Sequence, residues 1–535
     1  MKDKGMKNHG QLYFNGIVRT MDPAAPLTEA VAVRDGIIIA VGAKSACAEA
    51  LGKGYEPVDL RGRTMLPGFI DTHLHPVLLI FFSLNCDLGS ARSIGDLQQD
   101  LREALLRKSG DSWLVGLNFD EQNMREKRVP DRHDLDEISP DRPVVVIKHD
   151  GHSVFANTRA IEAAGVTATT PDPEAGVIER DCDGYPAGPF REIAVQLILK
   201  AMPMPELKVL IDGASETFNR LASLGLTSLG VVLQTGDEGP AGSAGAFDIP
   251  AMQLFLEHCP LSLYSLMITS DVNGLEGLRN GVLNSGYNRL GGVKLFADGT
   301  FGSSTAFMHE PFTDSPDKLG MLMHPPEELY WRMAAAHNAG WQVCVHAIGD
   351  AANKLCADLY GRLFKEYPRA GCRHRIEHAS IMDGKTMREL SRLGIMVSTQ
   401  PMFIHSEKDW LRRRLGEERC KIVYPFRAFL DAGIKVAGAS DAPIESQDVL
   451  HAIQCCVTRE GFEPHQCISV EEAVRIYTLD AAYVQFEENN KGSITPGKRA
   501  DLVVLSDDPF TVKTTRIKDV RVERTIIGGK PLFTA

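Results

Sequence analysis

The sequence predicts an α/β protein: a (β/α)8 TIM-like barrel, with an inserted subdomain after its first strand and a small β-sandwich domain formed by both chain ends. Three observations predict it. Eight apolar stretches of strand length alternate with amphipathic helical stretches, the order that builds a parallel sheet. One gap in that alternation, at about 77–200, is too long for a single βα unit and carries strands and helices of its own. Both ends of the chain read as short strands joined by tight turns.

Taken in order, residues 1–65 supply the first part of the sandwich. "QLYFNGIVRTM" and "AVAVRDGIIIAVG" are β-rich and are broken by Asn-Gly and Asp-Gly, dipeptides that hairpin turns favour. Residues 66–490 are the barrel. Its expected strands are 65–72, 226–232, 262–268, 292–297, 341–346, 373–378, 395–400 and 435–440, with helices at 205–224, 327–339, 351–366, 384–393 and 425–432. The insertion contains "RPVVVIKHDGHSVF" and the turn-rich "TTPDPEAG". It follows the first strand, on the rim where barrel active sites lie. Residues 491–535 complete the sandwich with "KRADLVVLS" and "VRVERTIIGGKPLF", the latter turning at Gly-Gly.

Composition sets the class. Of 535 residues, 44% are apolar and 24% charged, as in ordinary globular proteins. The net charge of −12 argues against a nucleic-acid or anionic-membrane partner, both of which need a basic face. The start "MKDKGMKNHGQLYF" lacks an export-signal core, and "HPVLLIFFSL" is too short to span a bilayer. A cytoplasmic protein is expected. Eleven cysteines, an odd number without a CxxC pair, read as free thiols rather than a disulfide framework.

Polar residues at the strand ends carry the chemistry, because barrel catalytic groups sit at the C-terminal ends of strands. "GFIDTHLHP" places His73 and His75 two positions apart, on one face of an extended strand, where two imidazoles can share a metal ion. The fourth strand supplies Lys294, the fifth ends in His346, the sixth in His378, and Asp441 follows the eighth. Four imidazoles and a carboxylate suit Zn²⁺, with Fe²⁺, Mn²⁺ and Co²⁺ as alternatives. An ammonium cannot ligate a cation. Lys294 therefore joins the set as a CO₂-derived carbamate able to bridge two metals, or else stands apart as an ion-pair partner of Asp298. The glycines of "FADGTFGSS" lack the lysine placement of a P-loop and read as a tight active-site loop.

On "GFIDTHLHP", "VKLFADGTFGSSTA", "VHAIGDAA", "RIEHAS", "SDAPI" and the tail "GSITPGKRADLVVL", the chain resembles the amidohydrolase superfamily. Within it, the chain looks like the amidohydrolase-3 group, which includes N-substituted formamide deformylases. The motifs run in the family's order over nearly the whole chain, and "PDRPVVVIKHDGHSVFANTRAIEAAGV" resembles that group's insertion. The resemblance implies one metal on His73, His75 and Asp441, a second on His346 and His378, and a carboxylated Lys294 between them. Members hold one or two metals, and relatives are commonly dimers, so the resemblance leaves a homodimer open.

The expected reaction is hydrolysis of a small-molecule amide or N-formyl or N-acyl amine by metal-activated water, at a C–N bond other than a peptide bond. Asp441 would take the water's proton and pass it to the leaving amine. His152, in the insertion, is a candidate substrate contact or a structural histidine, and Phe301 is a candidate pocket wall. Asp120 reads as a solvated loop acid. Two alternatives stay open at this point: deamination of a cyclic amidine, and an inactive barrel serving as a binding or scaffold protein.

Overall fold

The computed structural model describes residues 10–107, 113–121, 124–148, 153–174, 176–203, 205–236 and 242–535. The chain divides into two compact units, one comprising residues 1–77 and 215–535, the other 78–214.

The first unit contains the barrel sheet. Its eight strands are β1 Phe69–Leu74, β2 Leu226–Gln234, β3 Ser262–Ile268, β4 Arg289–Phe296, β5 Gln342–Ala347, β6 Arg375–His378, β7 Met396–Thr399 and β8 Val436–Gly438. They lie side by side in chain order and every pair is parallel. The ends of β1 and β8 interlock beyond the last ladder residue. Asp441 N–H donates to His73 O at 2.8 Å and His75 N–H to Ala442 O at 2.8 Å, which nearly closes the barrel. Val232, Tyr264, Leu266, Ile268 and Cys344 form one of its apolar clusters.

The expected strand at 65–72 is two strands. Thr64–Pro67 runs antiparallel to Leu502–Leu505 in a different sheet, and β1 begins only at Phe69. Gly68 is the joint. A Cβ there would lie 2.3 Å from Thr227 Cγ2, so only glycine lets the chain cross against β2. One apolar run covers both strands in the sequence, which is why periodicity merges them.

The terminal segments form two sheets. One is ordered Ile37–Gly42, Ala30–Arg34, Gln11–Phe14, Glu56–Asp59. The other is ordered Lys530–Thr534, Val522–Ile527, Leu502–Leu505, Thr64–Pro67, Ile17–Arg19, Leu27–Thr28. Tyr13, Val31, Val33 and Ile38 of the first share one buried core with Val18, Met65, Leu502, Val504 and Ile526 of the second.

The second unit has its own six-stranded sheet, from Cys86–Asp87 to Gly176–Arg180, and two apolar cores. Asn157 ties it together locally. Its side-chain oxygen accepts from Ala160 N–H and Val144 N–H, both at 2.9 Å, capping helix Thr158–Ala163 and anchoring the start of strand Val144–Lys148 with one residue. All eleven cysteines are free. Among the described residues, no helix is long and apolar enough to cross a membrane.

Candidate active site

Strand alternation explains how β1 presents its histidines. Asp71, His73 and His75 share a face, and the β1–β8 interlock draws Asp441 to them. His73 Nε2 lies 3.4 Å and His75 Nε2 3.2 Å from Asp441 Oδ1. The first of these contacts has no proton to share. His73 Nδ1–H donates to Glu377 Oε2 at 2.6 Å, so Nε2 keeps its lone pair and faces an ionised carboxylate oxygen. Two acceptors converging in this way are what a shared cation resolves. Burial alone would raise the Asp441 carboxyl, but the hydrogen bond from His75 and the neighbouring His73 and His378 imidazoles hold it far below the usual carboxylate range.

The remaining members lie beside this group. Lys294 Nζ is 3.4 Å from His73 Nε2, and the residue is 1% exposed. Burial pushes its pKa down, favouring the neutral amine. His346 and His378 pack edge to face with ring centroids 4.4 Å apart, and His378 lies 5.2 Å from His73 by the same measure. His346 Nε2–H donates to Gly299 O at 3.0 Å and His378 Nδ1–H to Gln400 Oε1 at 2.9 Å. Each ring therefore has one nitrogen free for a metal. Burial pushes His73 down to about 4 and His346 down to about 3, so both rings are neutral, the ligating form.

Two of these residues reach the site by leaving regular strand geometry. His378 has φ 72° and Asp441 φ 59°, the left-handed region that side chains rarely adopt. Strand period two would place His378 on the face opposite Glu377. The turn at φ 72° frees its ring to meet His346 instead. Such strain typically costs about 1–3 kcal/mol per residue, and here the β1–β8 interlock and the Gln400 hydrogen bond oppose it.

Around the six lies a shell that strand-end reasoning missed. Glu377, at 0% side-chain exposure, accepts from Arg375 Nε at 2.5 Å as well as from His73. Arg375 in turn donates to Thr72 O at 3.1 Å. Asp71 does not join the metal-type donors. Its Oδ1 accepts from His73 N–H and Ser440 N–H, each at 3.1 Å, splicing the two strand ends. Asp298 is likewise no partner for Lys294 by hydrogen bond. It accepts from the backbone N–H groups of Ile348, Gly349 and Phe307 at 2.8–3.0 Å, tying the loops after β4 and β5 together. Gly349 is needed there, because a Cβ would lie 1.9 Å from Phe307 O.

Phe301 is buried, and its carbonyl accepts from Arg414 Nη1 at 2.9 Å, which fixes the loop after β4. The aromatic that meets the candidate ligands is Phe296, 5.5 Å from the His346 ring and 5.3 Å from Lys294 Nζ. Period two from Lys294 was the signal for it. His152 lies outside the described residues, and Asp120 is half-buried.

Comparison with known proteins bears on this site. The amidohydrolase family model matches residues 56–533. The chain is 31% identical over 536 residues to the protein YtcJ of Bacillus subtilis, covering 98% of this chain and 99% of that one. It is 28% identical to an N-substituted formamide deformylase of Arthrobacter pascens, covering 97% of each. A solved metal-dependent hydrolase of Pyrococcus horikoshii, itself uncharacterized, superposes with a TM-score of 0.76 at 26% identity, over 95% of this chain and 99% of that one.

Proposed function

The chain belongs to the amidohydrolase family, and from that premise we propose that it is a metal-dependent hydrolase of a carbon–nitrogen bond other than a peptide bond. Its substrate is a small amide or an N-formyl or N-acyl amine. The relative named as an N-substituted formamide deformylase supports this class. The observation that carries the reading is the approach of the unprotonated His73 Nε2 and of His75 Nε2 to one oxygen of Asp441.

In this reading His73, His75 and Asp441 would hold one ion, His346 and His378 would hold a second, and Lys294, as a carbamate, would serve as a further ligand. Its buried neutral amine is the form that adds CO₂. Zn²⁺ suits the imidazole-rich set best, ahead of Fe²⁺, Mn²⁺ and Co²⁺. When bound, zinc supplies Lewis acidity and brings the pKa of water near 7. The chain's own residues do the rest. Glu377 holds His73 in one tautomer and orientation. Asp441, ionised and facing the mouth, takes the proton of the attacking water and returns it to the leaving amine. Phe301 and His152 belong to the substrate side.

The wider arrangement fits the same reading. The shared core of the terminal sheets supports one β-sandwich made from both chain ends, and residues 78–214 serve as the insertion after β1. The acidic net charge supports a small-molecule substrate rather than a nucleic acid or membrane partner, and a cytoplasmic location is proposed.

Asp441→Asn tests the proton transfer. The amide keeps a coordinating oxygen but cannot accept the proton, so kcat on an N-formyl amine should fall by about 10²–10⁴-fold with bound metal largely retained. A variant with normal metal content and near-normal kcat assigns the transfer elsewhere.

A further inference from the structure

Outside the barrel mouth, the described residues contain two more groups of three metal-type donors: His337, Cys372 and His374, and His405, His451 and Glu460. The first is closed. Val343 N–H donates to His374 Nδ1 at 2.9 Å, His374 Nε2–H to His337 Nδ1 at 2.7 Å, and His337 Nε2–H to Tyr367 O at 2.9 Å. Every ring nitrogen is engaged, and Cys372 Sγ donates to Arg369 O at 3.1 Å. That chain needs no ion.

The second group is open. His405 sits in the first turn of helix Met402–Leu415, which follows β7. His451 sits near the start of helix Val449–Thr458, which follows β8, where Asp448 caps the helix by accepting from His451 N–H at 3.0 Å. Glu460 lies just beyond that helix. His405 Nδ1 is 2.9 Å and His451 Nε2 3.2 Å from the same oxygen, Glu460 Oε1, and the two rings are 4.7 Å apart. Tetrahedral donors held about 2.1 Å from one zinc ion lie about 3.4 Å from one another, so a widening of the two Glu460 distances by a few tenths of an ångström seats an ion among these three.

Two supports hold Glu460 in place. Lys408 Nζ binds Oε2 at 2.9 Å, an oxygen that His405 Nδ1 also approaches at 3.0 Å, while Oε1 is the one that both rings reach. Arg459 and Glu460 both have positive φ, 47° and 48°. Arg459 secures that turn from below, donating to Phe462 O, Tyr424 O and Val423 O at 2.7–3.0 Å while fully buried. The side chain of His405 is 47% exposed, so water can complete the coordination.

We infer that His405, His451 and Glu460 form a second, solvent-facing site for a divalent cation of the zinc type, which clamps the helix after β7 to the helix after β8. The site is separate from the barrel ligands and does not depend on the reading of them.

The test uses the full chain and Zn²⁺ alone. Equilibrium dialysis at micromolar free zinc should find one more zinc per chain in the parent than in His405→Ala or His451→Ala, both folded by circular dichroism. In a His73→Ala/His75→Ala background, zinc should still raise the unfolding midpoint, and adding His405→Gln should reduce that rise, any remainder belonging to His346 and His378. Equal zinc content in the parent and both single variants overturns the inference, and so does a midpoint shift of the same size with and without His405→Gln.

Discussion

Glu377→Gln is the perturbation that best separates orientation of a metal ligand from ordinary stability. Glu377 sits between Arg375 and His73, at 2.5 and 2.6 Å, and all three side chains are 0% exposed. Glutamine keeps the volume but removes the negative charge, leaving the Arg375 guanidinium buried without its partner. Breaking a buried pair from one side costs about 3–5 kcal/mol, so the unfolding midpoint should fall clearly. The same change loosens the tautomer and tilt of His73, and loss of such an outer partner typically weakens metal binding about 10–100-fold. Chelator competition measures the second effect. The double variant Arg375→Met/Glu377→Gln removes both charges. It should recover much of the stability and none of the metal affinity. Wild-type zinc affinity in Glu377→Gln refutes the orientation argument. Recovered affinity in the double variant moves the effect from His73 to the buried charge.

Three further outcomes are expected. Deleting residues 492–535 removes Leu502–Leu505, which pairs with Thr64–Pro67, and strips the shared terminal core. The shortened chain should melt earlier, and unchanged melting would mean that the tail contributes nothing to the fold. Lys294→Ala should lose metal and turnover, with partial rescue by a short-chain carboxylic acid, whereas an unmodified Lys294 in the mass spectrum of active, metal-loaded protein rules the carbamate out. Burial holds His337 and His374 below the ordinary histidine value of 6.5. The unfolded chain therefore binds more protons below that value, and stability drops as pH falls through it, by at most about 1.4 kcal/mol per pH unit for each excluded proton. A His337→Gln/His374→Gln protein, metal-loaded, should show a flatter pH dependence of its melting midpoint, and an unaltered slope contradicts the assignment.

Much of the barrel was legible because local chemistry and tertiary role agree there. Helix Gly384–Leu393 starts where Asp383 caps it, accepting from Thr386 N–H at 2.7 Å, and stops at Gly394 with φ 68°. Both signals are written in the sequence. The six strand-end donors were legible for a similar reason, since histidine, lysine and aspartate at the ends of apolar runs are conspicuous. Glu377 was not, because its worth comes from His73, 304 positions away. Phe296 stands two positions from Lys294 on β4, so strand alternation places it on the same face. The division at Gly68 was hidden because an apolar run does not reveal that its two halves pair with different sheets.

Gly68 has a mechanical consequence. Its N–H donates to Asp501 O and the next N–H, of Phe69, to Gly225 O, at 2.8 and 2.9 Å. The strand that carries His73 and His75 thus leaves the terminal sheet with no slack at all, like a rail bolted at its base. Loops at the far end can be lengthened, shortened or exchanged while that rail keeps its height. An engineer seeking a new substrate range should recut those loops and leave both ends of the chain alone.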